Sequence, residues 1–198
     1  RGAGLGYVLD CVRQFRTTDT ATPVVLMGYL NPVEIRGAAT FAQEAAQAGV
    51  DGMLLVDLPP EEADEYRAAF AHNGLALISL ASPTTPQARL QRLCAQAEGY
   101  LYYVSYAGVT GAAHLDVSDA SQHLAQVRAL ASVPVLAGFG IRDAASAAAM
   151  AEHADGVVVG SALVATMAAC TQTADAAASA AAFLRPLRDA LNGLAVSA

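Results

Sequence analysis

Six short apolar, β-branched runs recur along the chain, at 23–29, 52–57, 75–80, 99–105, 133–139 and 156–160. Each of the first five is followed by a helical apolar pattern and a turn, as in Phe41-Ala42, Ala45-Ala46 and then Gly49. This alternation is a βα repeat. Val24-Val25-Leu26-Met27 and Val157-Val158-Val159 are continuously apolar rather than alternating, the pattern of strands covered by helices on both faces. The fold class is therefore α/β with parallel strands. A complete (β/α)8 barrel takes about 250 residues, roughly 31 per unit. The 198 residues here amount to six such units. The arithmetic fits one domain over 1–198, a TIM (β/α)8 barrel whose first two strands are absent from this chain. Val8, Leu9, Val12 and Phe15 already trace a helical face behind Arg1, so the sequence is expected to begin inside a fold. An open doubly wound sheet is the alternative, but no Gly-x-Gly-x-x-Gly follows the first run.

Charge narrows the chemistry. There are 11 basic and 18 acidic side chains, a net charge of −7, which argues against a nucleic-acid or anionic-membrane surface. Every basic residue is arginine. Without lysine the chain cannot form a Schiff base, anchor pyridoxal phosphate covalently or use a P-loop lysine. The longest uncharged stretch, 156–174, changes periodicity halfway and reads as a strand followed by a helix rather than a membrane span. Cys11, Cys94 and Cys170 are odd in number, widely spaced and in apolar helical patterns, so a reducing cytoplasm is expected, with no disulfide framework or zinc site. His72, His114, His123 and His153 form no metal-ligand spacing, and no metal site is expected.

In a βα barrel, ligands sit at the C-terminal ends of the strands and stability at the other end. Asp51 and Asp155, each followed by glycine at the start of a strand, are accordingly structural and are expected to close the preceding helix. The C-terminal stretch places Phe183, Leu184, Leu187 and Leu191 on one face of a covering helix, with Asn192-Gly193 as its stop. The ends of the last three strands are rich in glycine: Ser105 to Gly111, Gly138-Phe139-Gly140-Ile141, and Gly160-Ser161-Ala162. Glycine lets backbone N–H groups approach an anion, and a helix starting after Ser161 would aim its dipole at the same point, a phosphate cradle that needs no lysine. Asp57 is the carboxylate at a strand end, either an acid or base or a cap on the turn that Pro59-Pro60 enforces. Tyr102 lies within a strand, facing the barrel mouth or the core. Met27 and Tyr29 alternate with Leu26 and Gly28, giving one strand face an apolar, aromatic wall.

The runs Leu26-Met27-Gly28-Tyr29-Leu30-Asn31-Pro32, Ala48 to Gly52, Asp57-Leu58-Pro59, Tyr102, Ala107 to Gly111, Gly138 to Ile141 and Gly160-Ser161-Ala162 resemble the α subunit of tryptophan synthase, in that family's order and across essentially the whole chain. The resemblance implies a cytoplasmic lyase of tryptophan biosynthesis, a (β/α)8 enzyme that cleaves indole-3-glycerol phosphate by a retro-aldol step to indole and glyceraldehyde 3-phosphate. Carried over residue by residue, it implies that Gly111, Gly140, Gly160 and Ser161 hold the substrate phosphate and that Tyr102 supports the reacting carbons. It further implies that Met27 and Tyr29 flank the indole, while Asp57, Pro59 and Pro60 lie near the surface that docks the β subunit in a heterotetramer. The subunit would carry no cofactor, pyridoxal phosphate belonging to the β partner. The family's two catalytic acids, a glutamate ending strand two and an aspartate in the loop after it, match no acid in this sequence, so these 198 residues by themselves are expected to be inactive. Two alternatives are another phosphate-binding barrel enzyme and a non-catalytic activator of a β-type synthase.

Overall fold

The structure, a computed structural model, describes residues 4–104, 117–138 and 140–195. These group into two compact units, one reaching from the first described residue to Leu80 with Gln96–Gly99 added, the other comprising Ala81–Ala95 and the described residues from Tyr100 on.

The first unit runs α1 (Leu5–Arg16), β1 (Val25–Gly28), α2 (Leu30–Arg36), α3 (Ala38–Ala48), β2 (Gly52–Leu55), α4 (Asp64–His72) and β3 (Ala76–Leu77). Its strands pair in parallel in the order β1-β2-β3, with Leu26 opposite Met53 and Met53 opposite Leu77. The β2 strand is buried at all four positions, which explains its unbroken apolar sequence. Phe41 on α3 and Phe70 on α4 are fully buried with ring centroids 5.9 Å apart, packing beside Leu9, Val12 and Val33. Deep burial of two phenyl rings contributes several kcal/mol at about 25 cal/mol per Å².

β4 (Ser79–Ala81) carries the chain from the first unit into the second. The single apolar run at 75–80 thus becomes two short strands, with Ile78 between them still donating its N–H to the Met53 carbonyl at 2.9 Å. The second unit continues with α5 (Gln87–Ala95), β5 (Leu101–Val104), α6 (Val117–Leu130), β6 (Val135–Gly138), α7 (Ala144–Ala151), β7 (Gly156–Val158), α8 (Ser161–Ala168) and α9 (Ala176–Ala195). β5, β6 and β7 are parallel, with Tyr102 opposite Leu136 and Gly138 opposite Val158. On α9, Leu187 is buried against Ile141 and Ala147, with Phe183 and Leu191 beside it, while Leu184 is 37% exposed. The helix does not stop at Asn192-Gly193 but continues to Ala195. A glycine inside a helix costs only about 1 kcal/mol, which an apolar face already docked two turns earlier offsets.

Asp51 and Asp155 lie where strand-start residues belong, and neither closes a helix. Helix α3 is closed by Gly49, in the left-handed region at φ +94°, and α7 ends at Glu152 in right-handed geometry. Each aspartate instead clamps the preceding strand. The Asp51 carboxylate accepts the Val24 N–H at 2.7 Å and pairs with Arg16 at 2.6 Å; the Asp155 carboxylate accepts the Val135 N–H at 2.8 Å and pairs with Arg128 at 2.7 Å. Glu98 repeats the device, accepting from Leu77 N–H at 3.0 Å and from Arg67 at 2.9 Å. In all three, an arginine from the helix before a strand meets an acid that immediately precedes a later strand or begins its approach. Arg16 goes further, donating to the Gly49 carbonyl at 2.8 Å and the Thr22 carbonyl at 2.7 Å. A Cβ at Gly49 would stand 2.7 Å from Cγ of Arg16, so that position requires glycine for close approach as well as for conformation.

Candidate functional site

In the second unit, the turns after β6 and β7 carry the glycines singled out from the sequence. Gly140 is exposed at φ +74°, and the chain then enters α7 through a reciprocal cap: Asp143 Oδ1 accepts the Ser146 N–H at 2.8 Å while Ser146 Oγ accepts the Asp143 N–H at 3.1 Å. The Ser146 hydroxyl, and after it the Ser146 N–H, hold the Asp143 carboxyl below its ordinary value. After β7, Gly160 occupies the position before α8 with no side-chain cap, and Ser161 is the first helical residue; both are exposed. The first backbone bond of α8 runs from Val164 N–H to the Gly160 carbonyl, so the N–H groups of Ser161, Ala162 and Leu163 precede it. Donors of this kind, at the positive end of a helix dipole, take anions. Gly111 lies outside the described residues.

Tyr102 and Tyr103 point to opposite faces of β5. Tyr103 is fully buried and its hydroxyl meets Nδ1 of His123 on α6 at 2.8 Å, while burial pushes its phenol up to about 12. Tyr102 is half-buried, and burial likewise raises its phenol above the ordinary value, so it is neutral at pH 7. Its ring lies across β6 at Gly138. A Cβ there would stand 2.2 Å from the Tyr102 hydroxyl oxygen and 2.4 Å from Cε2, so the ring occupies the space that any side chain at 138 would need.

In the first unit, Met27 and Tyr29 are 63% and 67% exposed, an apolar face rather than core. Tyr29 is the residue before α2 and provides no side-chain cap. That cap comes from Asp57, whose Oδ1 accepts the Leu30 N–H at 2.7 Å. Asp57 thus caps a neighbouring helix and not the turn of its own prolines. Pro59 and Pro60 lead into a 3-10 turn, Pro60–Glu62, closed by Glu62 N–H on the Pro59 carbonyl at 3.0 Å. The structure therefore joins Asp57 to the residue beside Tyr29, joins Tyr102 to Gly138, and sets Gly140, Gly160 and Ser161 on successive strand ends of one unit. Two links escaped the sequence: Asp57 with Leu30, and Tyr103 with His123. The first had a signal, a helix opening Leu30-Asn31-Pro32 with no Ser, Thr, Asp or Asn before it, which needs an acceptor from elsewhere. The second had none, since a tyrosine and a histidine 20 residues apart carry no pattern.

Parallel strands joined by helices, with glycine-rich turns at the strand C-termini, define a parallel α/β protein, the pattern from which (β/α)8 barrels are built. The model of the tryptophan synthase alpha chain family matches residues 1–192. The tryptophan synthase alpha chain of Xanthomonas oryzae pv. oryzae (strain MAFF 311018) is 65% identical over 193 residues, covering 97% of this chain and 72% of the relative, and that of Xanthomonas campestris pv. campestris (strain B100) is 64% identical. The crystal structure of the alpha chain from Legionella pneumophila subsp. pneumophila superposes with a TM-score of 0.86 at 44% identity, over 96% of this chain and 70% of that one. A Pyrococcus furiosus structure, described as that of a mutually activating tryptophan synthase α2β2 complex, gives a TM-score of 0.82 at 34% identity, over 97% of this chain and 75% of that one. The chain belongs to the tryptophan synthase alpha chain family, and its function is that of the alpha subunit in tryptophan biosynthesis. Among the described residues no helix is long and apolar enough to cross a membrane.

Proposed function

We propose that the protein cleaves indole-3-glycerol phosphate to indole and glyceraldehyde 3-phosphate, in the cytoplasm and with a tryptophan synthase β subunit as its partner in a heterotetramer. The family match over residues 1–192 carries this reading. The reaction is a retro-aldol scission: indole C3 gains a proton and the glycerol hydroxyl loses one as the C–C bond opens to the aldehyde, which is general acid–base chemistry. It requires no lysine. In this reading Gly111, Gly140, Gly160 and Ser161 hold the phosphate through backbone N–H groups and the α8 dipole, supported by the exposed Gly140 and the exposed start of α8. Tyr102, a neutral phenol, stands beside the reacting carbons; Met27 and Tyr29 flank the indole, supported by their exposed apolar faces. Asp57, Pro59 and Pro60 face the β subunit, which holds the pyridoxal phosphate; the α subunit carries no cofactor. None of the sequence's 18 acids is assigned the proton transfers.

The test is indole release from indole-3-glycerol phosphate by the complete gene product, with and without the β subunit. Ser161→Asp places a negative charge where the phosphate binds and should raise KM by about tenfold or more, a loss of roughly 1.4 kcal/mol of binding. No turnover by the complete product, or an unchanged KM in the variant, would count against the reading.

A further inference from the structure

The residues on either side of Tyr29 are held by two consecutive residues of another loop. The Gly28 carbonyl accepts the Val56 N–H at 3.0 Å, the last rung between β1 and β2, and the Leu30 N–H donates to the Asp57 carboxylate at 2.7 Å. Tyr29 itself is 67% exposed, so little side-chain packing fixes it. The helix it leads into is seven residues long, with no acid in its first turn and no cap of its own. So short a helix does not hold its own first turn in water. The Val56 tether is backbone to backbone and survives any side-chain change except one to proline. The Asp57 tether is a charge-assisted bond made by one side chain.

We propose that Asp57 is a positioning residue for Tyr29: by accepting the Leu30 N–H it fixes the start of α2 and hence the direction in which the Tyr29 ring leaves the backbone. This rests on the reading above, in which Tyr29 flanks the indole. It also gives the segment Asp57 to Pro60 a second task. A partner that presses on that segment acts on the acceptor that orients the indole wall, so docking and aromatic binding share one hydrogen bond.

The experiment uses the complete gene product without β subunit and measures, by competition, the affinities for indole and for inorganic phosphate. Asp57→Ala removes the acceptor and should weaken indole about tenfold while changing phosphate affinity less than about twofold. Asp57→Asn keeps an oxygen in the same place without its charge and should recover part of the indole affinity, which a requirement for charge alone would not allow. In steady state Asp57→Ala should raise KM by a larger factor than it lowers kcat. Unchanged indole affinity in Asp57→Ala, equal loss of indole and phosphate affinity, or an Asp57→Asn as weak as Asp57→Ala would each overturn the proposal. Tyr29→Ala separates the two levels. If it weakens indole and Asp57→Ala does not, the proposal alone falls; if it leaves indole affinity unchanged, the placement of Tyr29 falls and the proposal with it.

Discussion

A tyrosine ring and a missing side chain share one space at Tyr102 and Gly138. Since a Cβ at 138 would lie 2.2 Å from the Tyr102 oxygen, Gly138→Ala must displace the ring or the strand. Overpacking of this kind costs about 1–3 kcal/mol, readable as a lowered urea midpoint, and the indole-releasing activity of the complete product should fall with it. The sequence marked both residues, Tyr102 within a strand and Gly138 at a strand end, but could not show that one needs the other. That depends on which face of β5 each tyrosine occupies, and a run reading Leu-Tyr-Tyr-Val leaves the faces open until Tyr103 is seen to be the buried one. Asp57 taught a similar lesson. Its type and strand-end position were readable, whereas its partner is a backbone N–H 27 residues away, on which side-chain identity is silent.

Among elements, the arginine–acid clamps differ in strength for a reason their exposure shows. Arg16 is 16% exposed and makes several bonds, whereas Arg128 is 42% exposed against a 36% exposed Asp155. Arg16→Ala takes away a donor from three carbonyls, those of Gly49, Asp19 and Thr22, and the arginine partner of the Asp51 carboxylate, and should cost about 2–4 kcal/mol, against under about 1 kcal/mol for Arg128→Ala, a ranking that chemical denaturation can check. Burial alone would raise the Asp155 carboxyl, but the Val135 N–H and Arg128 outweigh it and hold the folded value below 3.8. The unfolded chain therefore binds the proton more readily. The contribution of Asp155 is fully present above that ordinary value and disappears as pH falls through the lower folded one. Asp155→Asn should flatten the acid limb of a stability–pH curve in that window. The sequence rightly assigned Asp51 and Asp155 to structure from their position at strand starts, yet assigned them the wrong task, because Asp-Gly is a turn signal whether or not the aspartate also reaches back to an earlier strand.

For the whole molecule, the parallel βα order was readable because the apolar period changes from run to run, and the family was readable as a resemblance carried by motifs spread from Leu26 to Ala162. The grouping of the described residues into two units was not, since it depends on contacts that periodicity does not encode. The clamps also say where the backbone tolerates interruption. They join residues 16 and 51, 67 and 98, and 128 and 155, three intervals that do not overlap. A nick in 52–66 or 99–127 severs none of them, whereas a nick inside an interval leaves an arginine and its acid on separate pieces that must find each other by diffusion. Co-expressed fragments should accordingly reassociate more readily when divided between clamps than when divided within one.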